Sequence, residues 1–150
     1  RVSSDLMGKR VAALGLDIGR KRVGIAGCDG LGLIATGLMT LKRSSFGADV
    51  ATLEAIVKAR QVEILVVGLP YLFDGTLGTQ AREIQRYAKR LGQALKLPIV
   101  YVNEQCTSLE ARELMQAAGL SPSQNRSTID RKAAALILQQ WLDELKRDPH

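Results

Sequence analysis

The sequence predicts an α/β protein with a mixed five-stranded sheet, antiparallel over the first three strands and parallel afterwards, flanked by helices. Three short apolar or β-branched runs follow one another at the start of the chain, separated only by Gly-rich or charged turns, which is typical of an antiparallel meander. Two later strand-like runs alternate with helical patterns, and this alternation requires parallel strands joined by helical crossovers. The 150 residues are long enough to bury one core.

The strands are predicted from branched and apolar runs. They fall at residues 11–17, 23–28 and 35–41 in the first half of the chain, and at 63–68 and 98–103 in the second. The run EILVVG at 63–68 shows no polar alternation, which indicates a strand buried on both faces.

The helices are predicted from apolar residues at a spacing of three and four. The first begins at Asp49 and the last runs from residue 128 to about 146, while Thr107 and Glu110 form a capping box that opens a further helix. The helix before residue 98 has four cations on one side, a pattern more often found on solvated surface than in a binding site: Arg82, Arg86, Lys89 and Arg90.

Histidine and cysteine usage limits the chemistry. The single histidine, His150, is the last residue, so Ser-His-Asp or Cys-His catalysis and His-containing metal sites are excluded from the domain. Cys28 and Cys106 have no paired spacing, so we expect buried thiols in a reducing compartment rather than a disulfide or a zinc cluster. Carboxylates, lysines and hydroxyls remain for catalysis.

The charge balance favours a polyanionic partner. The chain has 21 Lys and Arg against 15 Asp and Glu, a formal net charge of +6 at pH 7. We expect two basic clusters to bind nucleic acid: Arg20, Lys21 and Arg22, and the looser group Arg126, Arg131 and Lys132.

Three carboxylates are candidates for one shared site. Asp17 lies where the first strand gives way to a Gly-rich turn, and Glu104 directly follows the fifth strand. If these strands are parallel, both acids emerge at the edge where open α/β sheets bind ligands. Asp130 is in line with the apolar side of the last helix, formed by Ala134, Ile137, Leu138, Trp141 and Leu145, and is therefore aimed at the sheet.

Each of these acids also has an ordinary structural interpretation. Asp17 fits a turn aspartate that bonds its own backbone, and Glu104 fits a solvent-exposed loop residue. Asp130 fits an acid that caps the helix N-terminus together with Ser127.

Converging carboxylates repel one another unless a cation compensates them. Oxygen-only ligands specify a hard ion, Mg²⁺ or Mn²⁺. Such ions bind phosphate oxygens, and a pair about 3.5–4 Å apart can activate a water and stabilise the leaving oxygen of a phosphodiester. Acids, positive charge and missing histidine together predict metal-dependent hydrolysis of nucleic acid.

Four motifs are specific in combination: GLDIGRKRVGIA, VVGLP followed by DGT, NEQCTSLEA and IDRKAAALIL. From about residue 12 to 143 the chain resembles the YqgF family, also called RuvX, of the RNase H-like superfamily. This resemblance implies an RNase H-like fold and a catalytic, metal-binding triad at Asp17, Glu104 and Asp130. It also implies a cytoplasmic, bacterial-type nuclease that matures the 5′ end of pre-16S ribosomal RNA, a structured RNA substrate.

Two segments depart from the family pattern. The family commonly has Asp-Glu-Arg where this chain has Asn103, Glu104 and Gln105, and small residues where Arg131 and Lys132 stand. The acids at 104 and 130 are retained, so metal binding is not contradicted, whereas contacts to the substrate beside Glu104 are altered.

Alternative functions follow from the same residues. A Holliday junction resolvase acting on branched DNA needs two symmetric cuts and hence a two-fold dimer. A catalytically weak or inactive nucleic-acid-binding module would keep the fold without turnover. An actin-like or sugar-kinase-like ATP site is excluded because those folds need two related halves.

We interpret residues 1–10, which are polar and unpatterned, as a disordered or expression-derived N-terminus, and residues 11–147 as one RNase H-like nuclease domain. No apolar run approaches the roughly 20 residues of a membrane span, so no membrane partner is expected. No oligomeric state follows from the sequence.

Overall fold

The computed structural model describes residues 11–70, 78–103 and 126–147, with five strands and three helices. The strands are β1 (Ala13–Ile18), β2 (Arg22–Cys28), β3 (Ala35–Lys42), β4 (Ile64–Leu69) and β5 (Ile99–Asn103). The helices are α1 (Phe46–Arg60), α2 (Thr79–Leu95) and α3 (Arg126–Arg147). The predicted capping box at Thr107 and Glu110 and the thiol of Cys106 lie outside the described residues.

The strands form one mixed sheet in the order β3-β2-β1-β4-β5. β2 pairs antiparallel with β1 and with β3, whereas β4 pairs parallel with β1 and with β5. The predicted mixed sheet is confirmed, and each predicted strand begins and ends within two residues of the observed one. Because β1, β4 and β5 run in the same direction, they end at one edge, at Ile18, Leu69 and Asn103.

The two faces of the sheet carry separate clusters of buried residues. Leu14, Leu16 and Ile18 of β1 pack with α1 and α2 on one face. Ala13, whose side chain points to the opposite face, packs with α3. β4 is buried on both faces, as predicted, with Val66 on the α3 side.

Helix α1 begins three residues earlier than predicted. Its N-cap is Ser45, whose hydroxyl accepts a hydrogen bond from the Ala48 amide at 3.1 Å. The apolar spacing used for the prediction starts only at Val50, so it misses a first turn that the cap stabilises.

Helix α3 lies along the sheet, and the end of its buried side differs from the prediction. Leu142 is 1% exposed and continues the buried side after Ile137 and Leu138, whereas Leu145 is 38% exposed. Among the described residues, no helix combines the length and the apolar character needed to cross a membrane.

Candidate active site

Asp17 is the last but one residue of β1, at the edge where the parallel strands end. Side chains alternate along a strand, so Asp17 shares the α3 side of the sheet with Ala13. Its partner on the neighbouring strand is Gly24. The carboxylate therefore emerges on the α3 side, beside a position without a side chain.

Glycines on three strands let α3 approach the sheet closely. A Cβ on Gly24 would overlap the backbone carbonyl of Asp130. A Cβ on Gly15 would lie 2.7 Å from Leu138 Cβ, and one on Gly37 would lie 2.8 Å from Arg131 Cβ. The missing side chain at Gly24 places the start of α3 directly beside the strand position opposite Asp17.

Asp130 forms an ion pair with Arg22, the first residue of β2. Arg22 Nε donates a 2.8 Å hydrogen bond to Asp130 Oδ2, and the two side chains are 30% and 21% exposed. The other oxygen, Oδ1, accepts no hydrogen bond from the described part of the chain. Asp130 is thus held at the sheet through one of its carboxylate oxygens.

Asp17 and Asp130 line one cavity of about 240 Å³, which we call the carboxylate cavity. Its remaining lining residues come from the turn after β1 and the start of β2: Gly19, Arg20, Lys21 and Arg22. Arg20 and Lys21 are exposed, while Arg22 is half-buried. The structure thereby brings two of the three predicted acids together with the first predicted basic cluster.

The structure describes only some of the other predicted site residues. Glu104 lies outside the described residues, although β5 ends at Asn103, on the same edge as Asp17. Arg131 donates a 3.2 Å hydrogen bond to Thr128 Oγ1 within α3, and Lys132 is exposed. Arg126 starts α3, and its side chain is outside the described part.

The donor set of the carboxylate cavity fits a hard divalent ion. Its acidic donors are carboxylate oxygens from two elements, with no sulfur or imidazole. Within residues 11–70, 78–103 and 126–147, no group of three Asp, Glu, Cys or His residues could hold a metal ion. An ion held by three such side chains would need a ligand from outside these ranges, and the sequence analysis predicts Glu104 in that role.

Sequence reasoning missed two roles that depend on packing. Arg22 was predicted only as a nucleic-acid contact, whereas it is also the partner of Asp130. Gly24 was predicted only as a residue of the second strand, whereas its missing side chain also lets α3 approach the sheet. The signal was the alternation along β2, because Arg22, Gly24 and Ala26 share one face and α3 covers that face.

This mixed five-stranded sheet flanked by helices is an RNase H-like fold. The RuvC of T. thermophilus in complex with a Holliday junction substrate shares the fold, with a TM-score of 0.55 and 17% identity over 92% of this chain and 96% of that one. A second T. thermophilus RuvC structure gives a TM-score of 0.53.

The chain belongs to the RuvX family. The family model described as "RuvX: Holliday junction resolvase" matches residues 11–144. A relative from Synechococcus sp. is 61% identical over 138 residues, which cover 92% of each chain, and one from Trichormus variabilis is 59% identical over 137 residues and 91% of each. Both relatives are named "Putative pre-16S rRNA nuclease". The family predicted from the four motifs is confirmed.

Proposed function

We propose that this protein is a divalent-metal-dependent nuclease that hydrolyses phosphodiester bonds and processes the 5′ end of pre-16S ribosomal RNA. The observation that carries the proposal is the carboxylate cavity, where Asp17 and Asp130 meet at the edge of the sheet among basic residues. The names of the relatives supply the substrate class. An RNA substrate of this kind places the activity in the cytoplasm.

The positions of Asp17, Asp130 and Arg22 support roles for these residues, and the sequence analysis adds Glu104. Asp17 and Asp130, joined by Glu104, would hold Mg²⁺ or Mn²⁺, and the bound ion would polarise the phosphodiester and activate a water. Arg22 fixes the carboxylate of Asp130 through its Nε. Arg20 and Lys21 are exposed at the rim, where they attract the backbone of the nucleic acid without reading its sequence.

A second candidate is resolution of branched DNA. The description of the family model and the likeness to RuvC favour it. Resolution requires two cuts related by two-fold symmetry, so it predicts a stable dimer, whereas trimming of RNA does not need one.

Cleavage assays with Mn²⁺ on three substrates test the proposal: a pre-16S RNA 5′ segment, a four-way DNA junction and single-stranded RNA. We expect the wild type to cut the precursor RNA and Asp17→Asn to be inactive while still folding and binding RNA. Glu144→Gln, which removes one acid from an exposed position of α3, is the matched control and should retain activity. Equal cleavage by Asp17→Asn would contradict the proposal, and cleavage of the junction alone would favour the second candidate.

A further inference from the structure

A second cavity, of about 280 Å³, lies on the other side of the turn that follows β1. It shares Gly19 and Arg20 with the carboxylate cavity and extends towards α2. Its charged lining consists of four arginines and one acid: Arg20, Arg43, Arg86, Arg90 and Glu83. We call it the arginine cavity.

Two of these arginines are held by aromatic rings. The guanidinium carbon of Arg43 lies 3.9 Å from the centroid of the Tyr87 ring, and that of Arg90 lies 3.9 Å from the centroid of Phe46. Arg43 Nη1 also donates a 2.6 Å hydrogen bond to the carbonyl of Gly19. Stacking occupies the flat faces of the guanidinium groups and leaves N–H groups at their edges available for an anion.

The aromatic support is itself anchored in the core. The Tyr87 hydroxyl donates a 2.9 Å hydrogen bond to Asp49 Oδ2, and Asp49 is only 2% exposed. The Ser44 amide donates to Asp49 Oδ1 at 3.1 Å. Phe46 packs edge-on against Tyr87 with ring centroids 6.0 Å apart. The side chains of Arg43 and Arg90 are therefore held in place, which lowers the conformational entropy lost when they bind a ligand.

The positive charge of this cavity is poorly compensated. Glu83 Oε1 lies 3.8 Å from Arg20 Nη2, and because solvent reaches both side chains, which are 43% and 83% exposed, this pair is weak. Throughout the described ranges, Arg43, Arg86 and Arg90 form no ion pair with a carboxylate. A cluster of guanidinium groups that outnumbers its neighbouring acids is typical of sites that bind phosphate.

We propose that the arginine cavity binds a backbone phosphate of the same nucleic acid strand that is cut at the carboxylate cavity. The inference rests on the proposed function for the strand, and on the shared Gly19 and Arg20 for its path across the end of β1. A second phosphate held on the α2 side fixes the position of the strand relative to Asp17. The arginine cavity thus positions the substrate and takes no part in the chemistry.

The test compares two double variants of α2 that remove the same charge. Arg86→Gln with Arg90→Gln removes two cations from the cavity, whereas Arg82→Gln with Lys89→Gln removes two exposed cations of the same helix that do not line it. Affinity for a labelled single-stranded RNA is measured by anisotropy in chelator across a salt series. We expect at least tenfold weaker binding for the cavity variant, with a salt slope smaller by about 1–2, and less than about threefold for the control.

Arg86→Gln alone guards against a folding artefact, since Arg86 has no hydrogen bond or ion pair to lose within the described residues. It should lower the salt slope by about 1. Equal affinities for the two double variants would overturn the inference. If millimolar inorganic phosphate then raised the melting temperature of the wild type but not of the cavity variant, the cavity would bind a free anion and not the RNA strand.

Binding and cleavage separate this inference from the proposed function. If the wild type cuts no substrate and RNA affinity falls only in the cavity variant, the nuclease proposal is contradicted and the phosphate site is supported. If the wild type cuts RNA and the two double variants bind RNA equally, the nuclease proposal is supported and the phosphate site is contradicted.

Discussion

Asp130 reaches the sheet because Gly24, the residue it packs against, has no side chain. The same glycine is the cross-strand partner of Asp17. One position therefore controls both the packing of α3 and the approach of the two acids. Arg22, two residues earlier on the same face of β2, then anchors the carboxylate of Asp130 at 2.8 Å.

Gly24→Ala should destabilise the fold by about 1–3 kcal/mol, because the added methyl overlaps the backbone of α3. It should also lower cleavage at least tenfold by moving Asp130 away from Asp17. Gly30→Ala is the control, since a Cβ there meets nothing within 4 Å, and it should change stability by less than about 0.5 kcal/mol. Urea unfolding measures both; equal stabilities would show that α3 does not depend on this contact.

Tyr87→Phe should cost about 1–3 kcal/mol at neutral pH, because buried Asp49 loses a hydrogen-bond donor. Burial, together with the hydrogen bond to Asp49, raises the pKa of Tyr87. A raised folded-state pKa stabilises the fold below the unfolded value of about 10, and this contribution is lost as pH rises further.

The stability difference between wild type and Tyr87→Phe should therefore narrow above about pH 10. Thermal melts from pH 7 to 11 measure it. Tyr101→Phe, where no hydrogen bond to the hydroxyl is found within the described residues, is the control and should cost little at pH 7. A constant difference across this range would contradict the raised pKa.

At this scale the sequence predicted that Asp17 and Asp130 lie close together, as the structure places them, but not the residues that hold them there. The end of a strand and the apolar side of a helix can be predicted from the spacing of apolar residues along the chain. The overlap of Gly24 with α3 and the Arg22–Asp130 pair join residues more than 100 positions apart, and spacing along the chain contains no such information.

Helix α3 holds the β2–β3 turn as well as the site. Gln139 Oε1 accepts a 2.9 Å hydrogen bond from the Ala35 amide, and its Nε2 donates to the Leu33 carbonyl at 2.9 Å. Nε2 also donates to Asp143 Oδ1 at 3.1 Å. One side chain of α3 thus fixes the start of β3, the strand whose Gly37 contacts Arg131.

Gln139→Ala should raise the exchange rate of the Ala35 amide at least tenfold, because that amide loses its acceptor. Gln140→Ala, on the next residue of α3, is the control and should leave the rate unchanged. Hydrogen exchange read by NMR measures both rates. Equal Ala35 exchange rates in the two variants would show that the turn does not depend on Gln139.

Elements with strong periodicity could be predicted and those defined by caps or neighbours could not. β4 was found because a run buried on both faces has no polar position. The first turn of α1 depends on the side chain of Ser45, which apolar spacing ignores. The cations of α2 are exposed, as their sequence pattern predicts, but Arg86 and Arg90 also line a cavity because α2 packs beside Arg43 and the end of β1.

For the molecule as a whole, strand direction determines where the chemistry lies. The parallel pairing of β1, β4 and β5 brings their ends to one edge. Because β2 is antiparallel to β1, its first residue, Arg22, lies at the same edge. This arrangement was predicted from the alternation of elements. The carboxylates at this edge were expected from the sequence, whereas the arginine cavity depends on side-chain packing and emerged only from the structure.

Millimolar Mn²⁺ should raise the melting temperature of the wild type, because a ligand that binds only the folded state stabilises it by about 1.4 kcal/mol at ten times its Kd. For a domain of this size the shift is a few degrees. Asp17→Asn should lose most of the shift, and Glu144→Gln should keep it. A melting temperature independent of Mn²⁺ would count against an ion at these acids.

Anomalous diffraction from crystals grown with Mn²⁺ tests the central claim most directly, because it locates the ion without relying on activity. We expect an anomalous peak within about 2.2 Å of carboxylate oxygens from Asp17 and Asp130, with Glu104 as a further ligand. No peak between these acids at saturating Mn²⁺, or a peak bound elsewhere on the chain, would contradict the account.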